Sequence, residues 1–313
     1  MRKLTAATAL MTGLCLSAGT AMADGESCKA VRLANLGWTD IILTDATVEL
    51  ILDTLGYEAE STILGLGVTY AALQEGNMDV FQGNWRPVQD ENFKDYFENK
   101  WVDVLGMNLE GAKFTLAVPS YIAGKGIRSF SDVAANPDLF GRRIYGIEPG
   151  SNDYLLDMIA KGLYGFDDGW EVVETSESGM LAQVERAISR EEPVVFLGWE
   201  PHPMNINYEI TYLEGGDEVF GADFGGATVY TLSRPGYATD CPNVARFLSQ
   251  VRYTLGYENY GMRRILSDGL EPVEAARAQL QEMPELITPW LDGVTTFDGA
   301  PALPVIEAAL GLK

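Results

Sequence analysis

Histidine and cysteine are scarce in this chain, and positive charge is low relative to negative charge. The 313 residues include one histidine, three cysteines and 22 lysines and arginines against 45 aspartates and glutamates, for a formal net charge of −23. Because nucleic-acid binding relies on clustered lysine and arginine, this balance argues against a nucleic-acid partner. One histidine and two distant cysteines do not complete a tetrahedral metal set, so we expect no metal and no other cofactor.

Long hydrophobic runs are also missing after the N-terminal segment. No later stretch offers the roughly 18 continuous apolar residues that a membrane-spanning helix requires. At the N-terminus, Arg2 and Lys3 precede an apolar stretch that ends in Ala21-Met22-Ala23, a small-x-small cleavage pattern. The sequence therefore predicts a signal peptide over residues 1–23, cleaved after Ala23, and a periplasmic mature protein.

Removal of the signal peptide leaves Cys28 and Cys241 as the remaining cysteines. In an oxidising compartment two such thiols normally form a disulfide, and we predict that bond here. It would join the mature N-terminus to a segment more than two hundred residues later. Both ends of the chain should therefore belong to one lobe.

Strand-like apolar runs alternate with helix-like periods along the mature chain, a pattern typical of α/β proteins with parallel sheets and crossover helices. The predicted strands are 31–36, 61–65, 78–82, 114–118, 143–147, 194–197 and 227–233. The predicted helices run from the end of a turn at 37–40 to Gly56, over 69–74, from Asn152 or Asp153 to about Gly162, and over 179–188. A chain of this length suits two lobes, which we place at 24–115 with 228–313 and at 116–227.

Three of the six tryptophans follow predicted strands, where open α/β sheets bind their ligands. These are Trp38, Trp85 and Trp199. A quaternary ammonium has no N–H to donate, so its recognition depends on aromatic faces and carboxylates, with tryptophan the best face. Three such positions favour an aromatic box over ordinary packing. The tryptophans without this setting are interpreted as packing residues: Trp101, Trp170 and Trp290.

Polar candidates lie beside two of these turns. Asp40 is suited to accept a hydrogen bond from a ligand hydroxyl or to neutralise a cation, although an acid in a first helical turn also serves the helix. Ser151 and Asn152 are candidate donors from the second lobe, with helix capping as the alternative. His202 has no nearby nucleophile pattern, and no common hydrolase, nucleotide or calcium motif is present. We interpret His202 as a structural loop residue and expect no enzymatic activity.

At these residues the chain resembles the periplasmic choline-binding proteins of ABC importers, within the wider glycine betaine and proline betaine binding family. The resemblance runs from about Cys28 to beyond Pro242. It is carried in order by the segments 37–41, 83–85, 111–119, 179–184, 194–205 and 224–231. The resemblance implies a two-lobe, type II-like venus-flytrap fold with the ligand cleft between the lobes. It also implies an ABC permease in the inner membrane as partner.

The resemblance further implies roles for individual residues. Trp38 and Trp85 from the first lobe and Trp199 from the second close on the trimethylammonium group, and Asp40 meets the ligand's polar end. The family's asparagine corresponds to one of two neighbouring residues, Ser151 or Asn152. The family's box tyrosine is replaced by Phe114, which keeps the ring and loses the hydroxyl.

Choline is the first expected ligand, because its hydroxyl donates to an ionised Asp40. Trimethylamine N-oxide and then glycine betaine follow, since both present an acceptor oxygen that an ionised acid repels. An exported hydrolase of choline esters is an alternative from another class, and a receptor that serves sensing instead of transport stays open. A monomer is expected.

Overall fold

The computed structural model describes residues 24–312. The predicted signal peptide and its cleavage after Ala23 lie outside these residues. Nine strands form one mixed sheet within the described part: β1 (Ala30–Asn35), β2 (Glu58–Ile63), β3 (Val80–Arg86), β4 (Asp103–Pro119), β5 (Arg143–Tyr145), β6 (Glu171–Val173), β7 (Phe196–Glu200), β8 (Ile210–Tyr212) and β9 (Gly226–Ser233).

Helices cover the sheet and connect its strands. Over residues 24–312 the α-helices are α1 (Thr39–Thr54), α2 (Leu66–Gln74), α3 (Asp90–Glu98), α4 (Ser120–Ala123), α5 (Phe130–Ala134), α6 (Asp153–Ala160), α7 (Glu177–Ser189), α8 (Met204–Asn207), α9 (Asp217–Phe220), α10 (Ala222–Gly225), α11 (Tyr237–Asp240), α12 (Pro242–Gln250), α13 (Leu255–Leu266), α14 (Pro272–Glu282), α15 (Ile287–Trp290) and α16 (Ala302–Leu310). Short 3₁₀ helices occur at Glu26–Cys28, Pro137–Leu139, Leu163–Gly165 and Pro284–Leu286. No helix of this range is long and apolar enough to cross a membrane.

The strands follow the order β2-β1-β3-β9-β4-β7-β5-β6, with β8 also paired to β4. At the two ends the pairs β1–β2, β1–β3, β5–β6 and β5–β7 are parallel, as predicted. In the centre β9 and β4 pair antiparallel with each other and with their other neighbours, so the prediction of purely parallel sheets is wrong there.

Strand β4 joins two halves of this sheet. It pairs with β9 over residues 103–113 and with β7 over residues 113–117. We call β2, β1, β3 and β9 the first half-sheet, and β7, β5 and β6 the second half-sheet. This division matches the predicted two-lobe α/β fold. The exact lobe boundaries at residues 115/116 and 227/228 stay a prediction.

The predicted disulfide is confirmed, since Cys28 and Cys241 are bonded with their Cα atoms 5.6 Å apart. Nearby, the Asp24 carboxylate accepts the backbone N–H of Asn243 at 2.8 Å and that of Val244 at 3.1 Å. Both cysteines and Asp24 are buried. These contacts hold residues 24–28 and the segment after β9 together beside the first half-sheet.

Two predicted strand ends were too early. Strand β3 continues through Trp85 because it pairs with Val229 of β9, and β7 continues through Trp199 because it pairs with Phe114 of β4. These two tryptophans are therefore the penultimate residues of their strands, while Trp38 does follow its strand. Both strands are extended by antiparallel partners that are distant in sequence, so the local sequence pattern does not predict where the strands end.

The remaining tryptophans differ in burial. Trp170 and Trp290 are buried, in agreement with their interpretation as packing residues. Trp101 is 38% exposed, and its ring makes an edge contact with Tyr96 at 5.6 Å between centroids. Trp101 therefore packs against a neighbouring ring at the surface and not in the core.

Candidate functional site

A pocket is lined by residues that follow β1 and β5 and by residues of β3, β4 and β7. It has an empty volume of about 580 Å³, which includes the open space at its mouth. Its lining combines aromatic, apolar and acidic side chains: Trp38, Asp40, Leu66, Trp85, Val88, Gln89, Asn92, Phe93, Phe114, Ile147, Gly150, Ser151, Asp153, Tyr154 and Trp199. No lysine, arginine or histidine of the described chain is among these residues.

Six of the seven residues proposed from the sequence line this pocket: Trp38, Asp40, Trp85, Phe114, Ser151 and Trp199. Asn152 does not. Its side chain accepts the Ile147 N–H at 3.0 Å and donates to the carbonyls of Ile147 and Glu148 and to the Glu174 carboxylate. These bonds fix the turn before α6, so the structure gives Asn152 a positioning role, and its side chain does not cap the helix.

The turn after β1 brings Trp38 and Asp40 to the pocket. The Asn35 side-chain oxygen accepts the Gly37 N–H at 2.7 Å, and Gly37 adopts a φ of +79°, which glycine takes without strain. Trp38 is then extended as the N-cap of α1, and Asp40 lies in the first helical turn. The helix begins at Thr39, inside the predicted turn at 37–40, and the predicted stop before Gly56 is confirmed.

Phe114 is at the centre of the aromatic side chains. Its ring centroid lies 6.1 Å from that of Trp85, 6.4 Å from that of Trp199 and 5.6 Å from that of Tyr154. Phe114 and Trp199 are directly opposite each other on β4 and β7, so both side chains point to the same face of the sheet. Residues from the two half-sheets therefore converge on one aromatic surface.

Sequence reasoning missed Tyr154, which lies in the first turn of α6 and lines the pocket. Burial raises the pKa of its hydroxyl well above the usual 10, and the nearby carboxylate of Glu148 adds to this effect, so the hydroxyl keeps its proton. Tyr154 is one of 14 tyrosines. The one available signal was its position two residues after Asn152. That signal could be interpreted only once the structure showed the Tyr154 ring beside Phe114.

Three polar atoms at the pocket are buried and make no hydrogen bond of good geometry within residues 24–312, although the Trp85 indole lies close enough to Asp40 to lower the pKa of that carboxyl. They are Asp40 Oδ1, Trp85 Nε1 and the Tyr154 hydroxyl. Leaving a buried polar atom unpaired costs about 1–3 kcal/mol, so such atoms are uncommon in folded proteins. Their convergence on one pocket indicates a site that is completed by a polar group of a ligand.

The Asp40 side chain is only 4% exposed. Burial raises its pKa from 3.8 to about 7, and the nearby Glu177 carboxylate adds to the shift. Ionised Asp40 is therefore costly in the empty pocket, and a cation beside it would favour the ionised form. The Asp40 carboxyl therefore favours a positively charged ligand in this pocket.

His202 lies beside the pocket and does not line it. The imidazole is 1% exposed and contacts Glu177 at 3.1 Å through Nε2, while Nδ1 accepts the Met204 N–H at 3.0 Å. Both ring nitrogens are thus engaged by the protein. These contacts agree with the interpretation of His202 as a structural residue.

A two-lobe α/β fold with a ligand pocket at the junction of its half-sheets defines the class of solute-binding proteins. The chain belongs to the family described as the substrate binding domain of ABC-type glycine betaine transport systems, whose model matches residues 29–282. This family consists of transport components, in agreement with the expectation of a non-enzymatic protein.

Solved structures support the same assignment. An ABC-transporter choline-binding protein in complex with choline is 49% identical over 92% of this chain and 100% of that chain, with a TM-score of 0.90. A choline-binding protein in an unliganded, semi-closed conformation is 50% identical with the same coverage and a TM-score of 0.83. Lactococcal OpuAC, closed on glycine betaine, is 26% identical over 83% of this chain and 98% of that chain, with a TM-score of 0.72.

Proposed function

We propose that this protein is the choline-binding component of an ABC importer. The observation that carries the proposal is the lining of the pocket, where Trp38, Trp85, Phe114, Tyr154 and Trp199 surround one cavity together with the buried carboxyl of Asp40. The similarity to a choline-bound relative at 49% identity supports the same ligand.

The physical basis is the attraction between a methylated ammonium and aromatic faces. Each ring contributes roughly 0.5–2 kcal/mol, with the larger values in dry sites, so several rings supply about micromolar affinity without an ion pair. Ionised Asp40 adds a Coulomb attraction that is strong because the group is buried. A methylated ammonium is therefore attracted both by the aromatic rings and by the Asp40 carboxylate of the pocket.

The ligand's polar tail distinguishes the candidates. A carboxylate tail, as in glycine betaine, would lie near the acids Asp40 and Asp153 without a lysine, arginine or histidine in the described lining to pair with it. The hydroxyl of Tyr154 has no hydrogen-bond partner within residues 24–312 and suits an N-oxide oxygen as a donor, which keeps trimethylamine N-oxide as the second candidate. The hydroxyl of choline both donates to Asp40 and accepts from such a donor.

Titration calorimetry with the three ligands tests this ranking. We expect choline to bind at least tenfold more tightly than trimethylamine N-oxide. Glycine betaine should bind most weakly, because its carboxylate would lie near Asp40 and Asp153 without a cationic side chain to pair with. Tighter binding of glycine betaine or of the N-oxide than of choline would contradict the proposal. Arginine serves as a cationic ligand without methyl groups and is expected not to bind.

Replacement of Tyr154 by Phe tests whether its hydroxyl belongs to the site. The hydroxyl has no partner in the described protein, so its removal should leave the ligand-free melting temperature unchanged or slightly raised. If the hydroxyl bonds to the ligand's oxygen, choline affinity should fall roughly 3- to 10-fold. Unchanged affinity in the calorimeter would remove Tyr154 from the polar contacts while leaving its ring in the box.

The cellular setting follows from the family. We propose that the protein is a periplasmic monomer with lobes at 24–115 plus 228–313 and at 116–227, and that an inner-membrane ABC permease recognises the closed form. A hydrolase is disfavoured because His202 is buried, bonded on both nitrogens and absent from the pocket lining. Disruption of the partner permease gene should abolish choline uptake if the role is transport, whereas a sensing role would leave uptake intact.

A further inference from the structure

Two carboxylates beside the second half-sheet bond to the turn that carries Trp38 and Asp40. Glu148, which follows β5, accepts the Trp38 indole N–H at 2.7 Å through Oε1. Glu177, the first residue of α7, accepts the Thr39 backbone N–H at 2.9 Å and the Thr39 hydroxyl at 2.5 Å. The Trp38–Asp40 turn follows β1 of the first half-sheet, so all three bonds cross the cleft.

Each carboxylate is itself held by its own side of the cleft. The Ser151 hydroxyl donates to Glu148 Oε1 at 2.6 Å. His202 Nδ1 accepts a backbone N–H, so the ring proton lies on Nε2 and is donated to Glu177 Oε1. The His202 ring in turn makes an edge contact with Trp199 at 5.0 Å between centroids. The bonds across the cleft are thereby connected to aromatic residues of the pocket.

The contacts of Glu177 are buried. Thr39, Glu177 and His202 are 5%, 5% and 1% exposed, while the bond between Glu148 and Trp38 is partly buried. Because its three partners all donate, the Glu177 carboxylate acts as an acceptor alone. The Glu177 charge disfavours ionisation of Asp40, whose pKa is raised to about 7. Above about pH 7, closure without a cation therefore gains the hydrogen bonds but brings two negative charges together.

From these contacts we propose that Glu148 and Glu177 are positioning residues that hold the Trp38–Asp40 turn from across the cleft and make closure depend on a bound cation. The inference rests on the proposed function in taking the ligand to be cationic. The cation offsets the repulsion between Asp40 and Glu177, and the buried hydrogen bonds then retain the closed form. The higher TM-score to the choline-bound relative than to the semi-closed one fits a closed arrangement in this structure.

The rate of choline dissociation, followed by tryptophan fluorescence in stopped flow, tests the hydrogen bonds. Glu177→Ala and Glu148→Gln should each speed dissociation, by roughly tenfold or more for Glu177→Ala, with the association rate nearly unchanged. Glu171→Gln is the matched control, because this carboxylate is exposed on β6 and contacts Arg143 instead of the turn. Dissociation rates equal to that of the control would overturn the proposal.

A second measurement needs no ligand. Spin labels at two exposed positions, Asn77→Cys beside the first half-sheet and Asp168→Cys beside the second, report the open and closed populations. At pH 8 the ligand-free Asp40→Asn variant should contain more closed form than wild type, because one of the two facing charges is gone. Addition of Glu177→Ala to that variant should reduce the closed form again.

The two measurements separate the possible failures. If wild type binds none of the three methylated ligands, the proposed function fails, and the ligand-free populations still decide whether these residues hold the closed form. An identical closed population in Asp40→Asn with and without Glu177→Ala would overturn the role of Glu177. Should Glu177→Ala lower the melting temperature strongly, Thr39→Val removes only the hydroxyl donor and should give a smaller increase in dissociation rate.

Discussion

Asp40→Asn is expected to weaken choline binding by roughly 30- to 150-fold, or about 2–3 kcal/mol. The substitution keeps the shape of the side chain and removes the negative charge that a buried cation requires. At an effective dielectric constant near 20, two charges about 4 Å apart attract by about 4 kcal/mol, part of which is offset by the cost of ionising Asp40. Titration calorimetry at pH 8, where the wild-type carboxyl is largely ionised, measures the difference.

The same variant isolates the pH dependence. Because the pKa of Asp40 is about 7 in the empty pocket and a cation favours the ionised form, wild-type affinity should fall roughly tenfold from pH 8 to pH 6. Affinity should level off above pH 8, and Asp40→Asn should show little change over this range. An equal pH dependence in both proteins would assign the titration to another group and remove Asp40 from the cation's surroundings.

Ligand-free stability serves as the control for this variant. The folded-state pKa of Asp40 is raised above its unfolded value of 3.8. The stability that its neutral form contributes is therefore fully present below about pH 4 and is lost as the pH rises through about 7. At pH 8 ligand-free Asp40→Asn should be at least as resistant to urea as wild type, so weaker binding would not reflect unfolding.

Replacement of Trp199 or Trp85 by Ala is expected to reduce choline affinity by more than tenfold for each ring. Either change removes a cation–π face and opens space for water in a pocket where Trp199 and Trp85 are only 5% and 4% exposed. Trp→Phe at the same positions should lose less, because a smaller aromatic face remains. Calorimetry of all four variants gives the comparison.

Trp101→Ala is the matched control for these substitutions. It removes the same side chain from a position that is 38% exposed and outside the pocket lining. Its choline affinity should stay within twofold of wild type. If Trp85→Ala and Trp199→Ala behaved like Trp101→Ala, the aromatic box would no longer explain binding.

The local parts of the fold were predictable from the sequence. The helix after β1 has its first-turn acid, Asp40, and its stop before Gly56 in the local sequence, and the structure agrees, although the helix begins at Thr39 inside the predicted turn. The disulfide followed from two cysteines in an oxidising compartment. By contrast, the extensions of β3 through Trp85 and of β7 through Trp199 depend on antiparallel partners more than 80 residues away, so no local pattern encodes them.

The candidate site shows the same division. Trp38, Trp85 and Trp199 stood out because each lies beside a turn, and the family resemblance added Phe114. Tyr154 had no comparable signal. Its importance arises because the first turn of α6 brings its ring to 5.6 Å from that of Phe114 on β4.

By itself, the sequence determined the α/β class, the disulfide and the family, and it indicated the chemical character of the proposed ligand, because residue types and short spacings encode each of these. The structure decided that Asn152 supports the turn before α6, that Tyr154 enters the pocket, and that Glu148 and Glu177 reach Trp38 and Thr39 across the cleft. The bonds of Glu148 and Glu177 join residues separated by more than a hundred positions, and they exist only when the two half-sheets face each other.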